Sequence, residues 1–140
     1  MTISGKALAI DYGSKRVGLA MTNLAARLPS PYKTIPNDEK LLCALLQTIK
    51  DEQITVIILG LPRGLKGQNT NQTEEVEKFN ELLSKSTNLP IYLQDEALTS
   101  HKAELELNHR GRPYKKEDID ALAATYILED WLIDQNETEN

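Results

Sequence analysis

Three acidic residues stand where a folded chain would have to bury or compensate their charge. Asp11 ends the apolar run ALAI, Glu96 follows the run PIYLQD, and Asp120 lies inside the apolar segment IDALAATYILEDWL. An unpaired carboxylate is costly to bury, so each group needs an ion pair, hydrogen bonds or a metal ion. Each also has a plain structural interpretation: a turn cap, a solvated strand end, and a charge in the first turn of a helix worth ~0.3–1 kcal/mol. A shared site is therefore a hypothesis about all three together.

Asp120 carries the clearest signal of the three. On a helix it shares a stripe with the apolar residues three, four, seven and eleven positions later, namely Ala123, Ala124, Ile127 and Trp131. Its carboxylate is therefore expected to face inward, and the two alanines let the helix approach a sheet closely.

Three inward carboxylates form a hard oxygen-ligand set that suits Mg²⁺ or Mn²⁺ better than zinc. Two such ions ~4 Å apart can activate a water molecule and stabilise the leaving oxygen in phosphodiester hydrolysis.

The hydrophobic pattern predicts alternating strands and helices that would position these acids. Strands are expected over 6–11 and 16–22 as a hairpin, over 54–59 as a strand covered on both faces, and over 90–94. Helices are expected over 38–51, over 72–85, from Thr99 to about His109, and over 116–133. The first is expected to have Asn37 as its N-cap, and the second a start capped by Asn71 and Glu74. The inward residues of the second helix are expected to be Val76, Phe79, Leu82 and Leu83. This alternation indicates an α/β domain with a mixed sheet.

Size and composition are those of a soluble globular protein. The 140 residues are expected to form one domain, 1–140, with a frayed tail over 135–140. No apolar run is long enough to span a bilayer, and the N-terminus lacks a signal-peptide pattern. The single cysteine, Cys43, excludes an internal disulfide and a cysteine-based zinc cluster. It lies in an apolar helical stripe, which predicts a buried thiol and a reducing, cytoplasmic location.

The distribution of charge matters more than its sum. The formal net charge of −5 argues weakly against nucleic-acid binding. Nine of the 16 Lys and Arg residues, however, lie in or beside the loops that carry the acidic segments: Lys15, Arg16, Arg63, Lys66, Lys102, Arg110, Arg112, Lys115 and Lys116. An acidic protein with a locally basic face remains compatible with a phosphate-rich partner.

Four segments in order resemble a known family. They are IDYGSKRVGLA, ILGLPRGLKG, LQDEALTS and IDALAATYILEDWL, and together they span roughly residues 5–133. Their order and spacing are similar to the YqgF nuclease family, also described as RuvX or Holliday-junction-resolvase-like. The resemblance implies a ribonuclease H-like fold with a mixed central β-sheet flanked by α-helices. It also implies a nuclease that processes the 5′ end of pre-16S ribosomal RNA, some members being assigned to junction resolution.

The resemblance also implies roles for particular residues. Asp11, Glu96 and Asp120 match the family's acids, which implies that they are catalytic and hold Mg²⁺ or Mn²⁺. Thr99 and Ser100 match a hydroxyl pair, and residues 60–62 match the loop after the central strand. The residues expected to contact nucleic acid are Lys15, Arg16, Arg63, Lys66, Thr99, Arg110, Arg112 and Lys116.

Two departures from the family pattern touch expected substrate contacts. Ala97 stands where the family usually has Arg, and the loop over 63–70 reads RGLKGQNT instead of a Met-Asp-Gly-Ser type run. Arg63, Lys66 or Arg110 could replace the missing guanidinium. These changes concern affinity and specificity more than the metal site.

Four functions remain open from the sequence. The first is a metal-dependent endonuclease acting on structured RNA, with a monomer or homodimer as its state and no membrane partner. The second is a resolvase of four-way DNA, which predicts a two-fold dimer because two symmetric cuts need two sites. The third is a non-catalytic nucleic-acid-binding module on a nuclease scaffold, an option that Ala97 keeps open. The fourth, ATP binding, would need a second lobe for which this chain is too short.

Overall fold

A five-stranded mixed sheet forms the centre of the molecule. The computed structural model describes residues 4–96 and 99–139, with the side chains of 99–102 and 136–139 left out. The elements along the chain are β1 (Lys6–Tyr12), β2 (Arg16–Asn23), β3 (Ser30–Pro36), α1 (Leu41–Asp51), β4 (Val56–Pro62), α2 (Asn71–Ser86), β5 (Ile91–Glu96), α3 (Thr99–Arg110) and α4 (Lys116–Glu139). The sheet order is β3-β2-β1-β4-β5. The first three strands pair antiparallel, and β1, β4 and β5 pair parallel, which confirms the predicted mixed sheet.

One face of the sheet carries large aliphatic side chains and is covered by α1 and α2. Leu8, Ile10 and Leu59 from the central strands are fully buried there, together with Leu45 of α1 and Val76 of α2. Because side chains alternate along a strand, the residues between these large ones face the other side. The apolar pattern over 54–59 predicts a strand covered on both faces, and this holds for residues 56–61 of β4, whereas Thr55 precedes the strand and is exposed.

The opposite face is lined by small residues and is covered by α4. Ala7, Ala9 and Ala20 are fully buried against α4 residues such as Ala124 and Ile127. Small side chains on both surfaces allow the helix axis to lie close to the sheet. The shorter α3 packs on α4 and not on the sheet, through Ala103, Leu107 and Leu122. The α4 face is the one on which the acidic residues lie.

The third strand, β3, has no counterpart among the strands expected from the sequence. It pairs with β2 alone at the edge of the sheet, and its pairing shifts between Leu19 and Ala20. Strands are recognised by an alternation of apolar and polar residues, and β3 lacks it. The segment contains Pro31 and Pro36, and most of its side chains are exposed. Proline is tolerated at an edge strand because one side of such a strand needs no donors.

Two helix starts differ from the sequence-based expectation. α1 begins at Leu41, and the Asn37 side chain donates a hydrogen bond to the Gly13 carbonyl (2.7 Å) instead of capping the helix. α2 is capped by Thr70, whose hydroxyl accepts from the Thr73 N–H while the Thr73 hydroxyl accepts from the Thr70 N–H. Asn71 is therefore the first helical residue and not the cap.

Three further expectations about helices are wrong. Cys43 is exposed, because it lies two residues from both Leu41 and Leu45 and so points away from the side that they bury. Leu82 on α2 is 49% exposed. α4 continues to Glu139, past the predicted end at residue 133, because the segment DQNETE contains no Gly or Pro to stop it. Within the described residues, no helix is long and apolar enough to cross a membrane.

Candidate active site

Asp11 lies at the carboxyl end of β1, on the face covered by α4. It follows Ala7 and Ala9 with the period of two that keeps side chains on one face. Burial of its carboxyl group raises the pKa of Asp11 well above its ordinary value of 3.8, and the negative charges of Glu96 and Asp120 raise it further. The negative form of Asp11 is thus disfavoured by its surroundings, and a cation beside it would relieve all three causes.

Glu96 ends β5 on the same face of the sheet. The parallel register pairs Pro62 with Glu96 and Gly60 with Gln94, so Glu96 shares the face of Gly60. A Cβ atom on Gly60 would lie 2.3 Å from Glu96 Oε2. The carboxylate of Glu96 therefore lies over β4, in the direction of β1, in space that only glycine leaves open.

The neighbouring acid, Asp95, points to the other face and has another contact. Its Oδ1 accepts a hydrogen bond from Arg63 Nε at 3.3 Å, and its side chain is 71% exposed. The two adjacent acids are therefore separated by strand alternation: Glu96 lies on the face of Asp11, and Asp95 braces the loop after β4.

Asp120 is the fifth residue of α4, just past the first turn, and lies directly above β2. A Cβ atom on Gly18 would lie 2.0 Å from the Asp120 carbonyl oxygen, so the helix contacts the strand through backbone atoms. Gly18 is paired with Asp11 in the antiparallel ladder. The start of α4 is thus held over the strand next to the one that carries Asp11, which places Asp120 near it.

Arg16 is the charged partner of Asp120. Its Nε donates to Asp120 Oδ2 at 2.7 Å, and this hydrogen bond is the main cause that raises the pKa of Arg16. Both side chains remain partly accessible, at 32% and 20%. The sequence assigns Arg16 to substrate contact, and in the structure part of that guanidinium compensates the inward carboxylate.

The three acids share one face but do not form a closed ligand cage. Across the residues that the structure describes, no three Asp, Glu, His or Cys side chains are grouped closely enough to hold a metal ion. Asp11 nevertheless experiences the charge of both Glu96 and Asp120. The available donors are carboxylate oxygens, and the ionised form of Asp11 is disfavoured by its surroundings. Such a set of oxygen donors fits a hard divalent cation such as Mg²⁺ or Mn²⁺.

The loop over residues 63–70 is braced by its own contacts. The Gly64 N–H donates to the Gln68 carbonyl (2.8 Å), and the Lys66 N–H donates to Gln68 Oε1 (2.9 Å). Arg63 is hydrogen-bonded to Asn69 in addition to Asp95. Arg63 is therefore held in place beside the loop, whereas the Lys66 side chain is exposed near its tip.

The remaining basic candidates fall into two places. Lys15 is exposed in the turn of the β1–β2 hairpin, near Arg16. Arg110 and Arg112 line a cavity between β3 and α4, and Lys116 is exposed at the start of α4. Arg110 also pairs with Glu106, one helical turn earlier, at 3.0 Å. Ala97 and the side chain of Thr99 lie outside the described residues.

Several residues that shape the site carry no distinctive sequence signal. Gly18 provides contact space, Thr73 donates to the Pro62 carbonyl and so anchors the loop after β4, and Tyr32 and Lys33 of β3 line the same cavity as Arg112. Two threonines three residues apart at the end of a glycine-rich loop, Thr70 and Thr73, could have suggested a capping box. The role of Gly18 and of β3 depends on contacts between distant parts of the chain.

The fold and the placement of the acids define a class. Sheet order, mixed pairing and acids at the ends of β1 and β5 and at the start of α4 describe a ribonuclease H-like fold. Two solved structures have the same fold. The alignment with Thermus thermophilus RuvC in complex with a Holliday junction substrate covers 95% of this chain and 96% of the RuvC chain, with a TM-score of 0.61 and 14% sequence identity. The fowlpox virus Holliday junction resolvase covers 94% and 99%, with a TM-score of 0.57 and 12% identity.

The chain belongs to the RuvX family, which is described as Holliday junction resolvase and whose family model matches residues 5–134. A Rickettsia africae protein is 43% identical over 126 residues, which cover 87% of this chain and 82% of the relative. A Rickettsia akari protein is 38% identical over 133 residues, which cover 92% and 86%. Both relatives are named as proposed pre-16S rRNA nucleases. The family resemblance seen in the four sequence segments is confirmed.

Proposed function

We propose that this chain is a divalent-cation-dependent endonuclease that processes the 5′ end of pre-16S rRNA, with residues 1–140 acting as one nuclease domain. The names of relatives at 43% and 38% identity support the substrate. The observation that carries the chemistry is the environment of Asp11, whose pKa is raised by burial and by the carboxylates of Glu96 and Asp120. An arrangement that disfavours its own negative charge is suited to binding a cation.

Asp11, Glu96 and Asp120 would hold the metal. A bound Mg²⁺ or Mn²⁺ would supply activation of water and stabilisation of the leaving oxygen in phosphodiester hydrolysis. Gly60 and Gly18 keep the necessary space, the first for the Glu96 carboxylate and the second for the backbone of Asp120.

Arg16 has a positioning role in this proposal. Its Nε holds the Asp120 carboxylate at 2.7 Å. The guanidinium has four further N–H donors, and this geometry is suited to the oxygens of a phosphate. Arg16 can therefore orient the acid and a substrate phosphate together. Lys15, in the adjacent turn, would add charge attraction without fixed geometry.

The test is cleavage of a labelled panel containing a pre-16S 5′ leader, an unstructured single-stranded RNA and a four-way DNA junction, with Mg²⁺ or Mn²⁺. Asp11→Asn is purified in parallel with Asp51→Asn, which makes the same change at an exposed position of α1, on the other side of the sheet. We expect the leader to be cut by the wild type and by Asp51→Asn, and not by Asp11→Asn. Equal traces of cleavage in all three preparations would indicate contamination and refute the nuclease assignment in favour of a binding module.

A second candidate is resolution of four-way DNA. The description of the matching family as Holliday junction resolvase favours it. It requires a two-fold dimer so that two symmetric cuts are made together. Paired cuts in the junction, no cut in the RNA leader and a dimer by light scattering would favour this candidate. A strict monomer that leaves the junction intact would exclude it.

A further inference from the structure

A surface cavity of about 430 Å³ lies beside the candidate active site, and we call it the β3–α4 pocket. Its walls are residues 31–34 of β3, the last turn of α3, the loop over 112–114 and the first two turns of α4. Cavities of this size are typical of sites for small organic groups. The pocket is open to solvent, and its β3 wall is the edge strand of the sheet.

The lining of the pocket combines aromatic rings with positive charge. Tyr32 and Tyr114 contribute the rings, and Lys33, Arg110 and Arg112 contribute the cations. Lys33 Nζ lies 5.1 Å from the centroid of the Tyr32 ring, within the range of a cation–π contact. Aromatic rings beside basic groups are the combination that binds single-stranded nucleic acid, because bases stack on the rings and phosphates pair with the cations.

Two acidic residues also line the pocket, but both contribute to the structure of its wall. Asp118 Oδ2 accepts the N–H of Lys115 at 2.9 Å and so caps the start of α4. The carbonyl of Glu117 accepts the Thr34 hydroxyl at 2.7 Å, which ties β3 to the helix. Among the basic lining residues, Arg110 is already paired with Glu106 at 3.0 Å, so Lys33 and Arg112 are the cations left to face a ligand beside these two acids.

The pocket and Asp11 lie on opposite sides of the start of α4. Thr34 pairs with Gly18, and Gly18 pairs with Asp11, so the three lie in one row across β3, β2 and β1. Two steps between neighbouring strands amount to about 10 Å. This distance corresponds to about three stacked nucleotides of a single strand. Because α4 lies on Gly18 between the two, a strand with a phosphate at Asp11 would pass around the end of that helix and place a base several nucleotides away in the pocket.

We propose that the β3–α4 pocket binds one unpaired base of single-stranded RNA a few nucleotides from the bond that is cut, with Tyr32 as the stacking surface and Arg112 as a phosphate contact. This inference rests on the proposed nuclease function for its substrate. The pocket would make the chain select RNA that is unpaired near the cut, since a base held in a duplex cannot enter it. Tyr32 is 40% exposed, so its ring is available for stacking.

The test measures binding in EDTA, so that cleavage plays no part. Fluorescence anisotropy gives the Kd of a labelled single-stranded RNA and of the same sequence as a duplex, for the wild type, Tyr32→Ala, Tyr32→Phe and Arg112→Gln. Lys50→Gln, at an exposed position of α1, is the charge control for Arg112→Gln. We expect Tyr32→Ala to weaken single-strand binding about tenfold, Tyr32→Phe to retain it, and duplex binding to be unaffected. We expect Arg112→Gln to lower the slope of log Kd against log salt by about 1 relative to Lys50→Gln.

Three results would overturn the inference: no measurable single-strand binding by the wild type, an unchanged Kd for Tyr32→Ala at an unchanged melting temperature, or an equal loss for single strand and duplex. Adenosine and uridine monophosphates serve as competitors. A mononucleotide that matches the affinity of the RNA would assign the pocket to a free nucleotide instead. Tyr32-dependent binding by a chain that cuts none of the panel would support the pocket and refute the nuclease, so the two failures are distinguishable.

Discussion

The contact between Gly18 and α4 makes a quantitative prediction about the position of Asp120. The backbone of Gly18 is not in the left-handed region, so glycine is needed there for space and not for conformation. In Gly18→Ala the new Cβ would lie 2.0 Å from the Asp120 carbonyl oxygen, whereas ordinary contact begins at 3.4 Å. The first turn of α4 must therefore move away from the sheet by about 1.4 Å, because neither backbone segment can rotate aside.

Both stability and activity should change by measurable amounts. Overfilling a packed interface by one methyl group typically costs ~1–3 kcal/mol. For a chain of this length that corresponds to a decrease in melting temperature of roughly 3–12 °C. A displacement of a catalytic group by about 1 Å can lower the rate on the order of 100-fold. We therefore expect Gly18→Ala to fold, to melt at a lower temperature and to lose most of its cleavage rate.

The assay compares single-turnover cleavage of the pre-16S leader with the melting curve of the same preparation. Gly67→Ala is the control, because its Cβ would meet nothing within 4 Å while its φ of +79° still imposes backbone strain. The control should lose about 1 kcal/mol of stability and keep its cleavage rate. A Gly18→Ala protein with the melting temperature and rate of the wild type would refute the close approach of α4. An equal loss of rate in both variants would show that general destabilisation, and not the position of Asp120, limits activity.

Three further predictions concern the site and its supports. Because the pKa of Asp11 is raised in the folded state, its ionisation costs stability that grows as the pH rises from about 3.8 to the folded pKa. Asp11→Asn should therefore melt higher than the wild type at pH 7 in EDTA, and the difference should shrink as the pH falls toward 3.8. Millimolar Mg²⁺ should raise the melting temperature of the wild type and leave that of Asp11→Asn unchanged; an equal rise in both would place the cation elsewhere. Thr73→Val removes the donor to Pro62 and the acceptor for the Thr70 N–H, so calorimetry should show a loss of ~1–3 kcal/mol that Thr73→Ser largely avoids.

Much of the candidate site could be predicted from local pattern. An apolar run that ends in Asp11 and an apolar stripe that includes Asp120 indicate inward acids, because burial imposes periods of two and 3.6 on strands and helices. The same reasoning placed Glu96 at a strand end. That these acids are catalytic, and that they hold Mg²⁺ or Mn²⁺, stays a prediction.

Local pattern was wrong where a contact with a distant segment decides the outcome. Asn37, the predicted cap of α1, donates its side-chain hydrogen bond to the Gly13 carbonyl instead. Cys43 was assigned to the buried stripe of α1, but its side chain is exposed. β3 forms although its sequence lacks alternation, because β2 offers it an open edge. In each case a contact with a distant segment decides the outcome.

By itself, the sequence determined the apolar core of the central strands, the order of the strands and helices apart from β3, and the family to which the chain belongs. Only the tertiary structure decided that Arg16 pairs with Asp120 across 104 positions, that Gly18 supports the backbone of Asp120, and that β3 and α4 enclose a pocket lined by tyrosine rings and charged groups. The physical reason is range. The periodic pattern of buried residues can be read from neighbouring positions in the sequence. Ion pairs and close backbone contacts instead depend on how distant segments are aligned, and these segments meet only after folding.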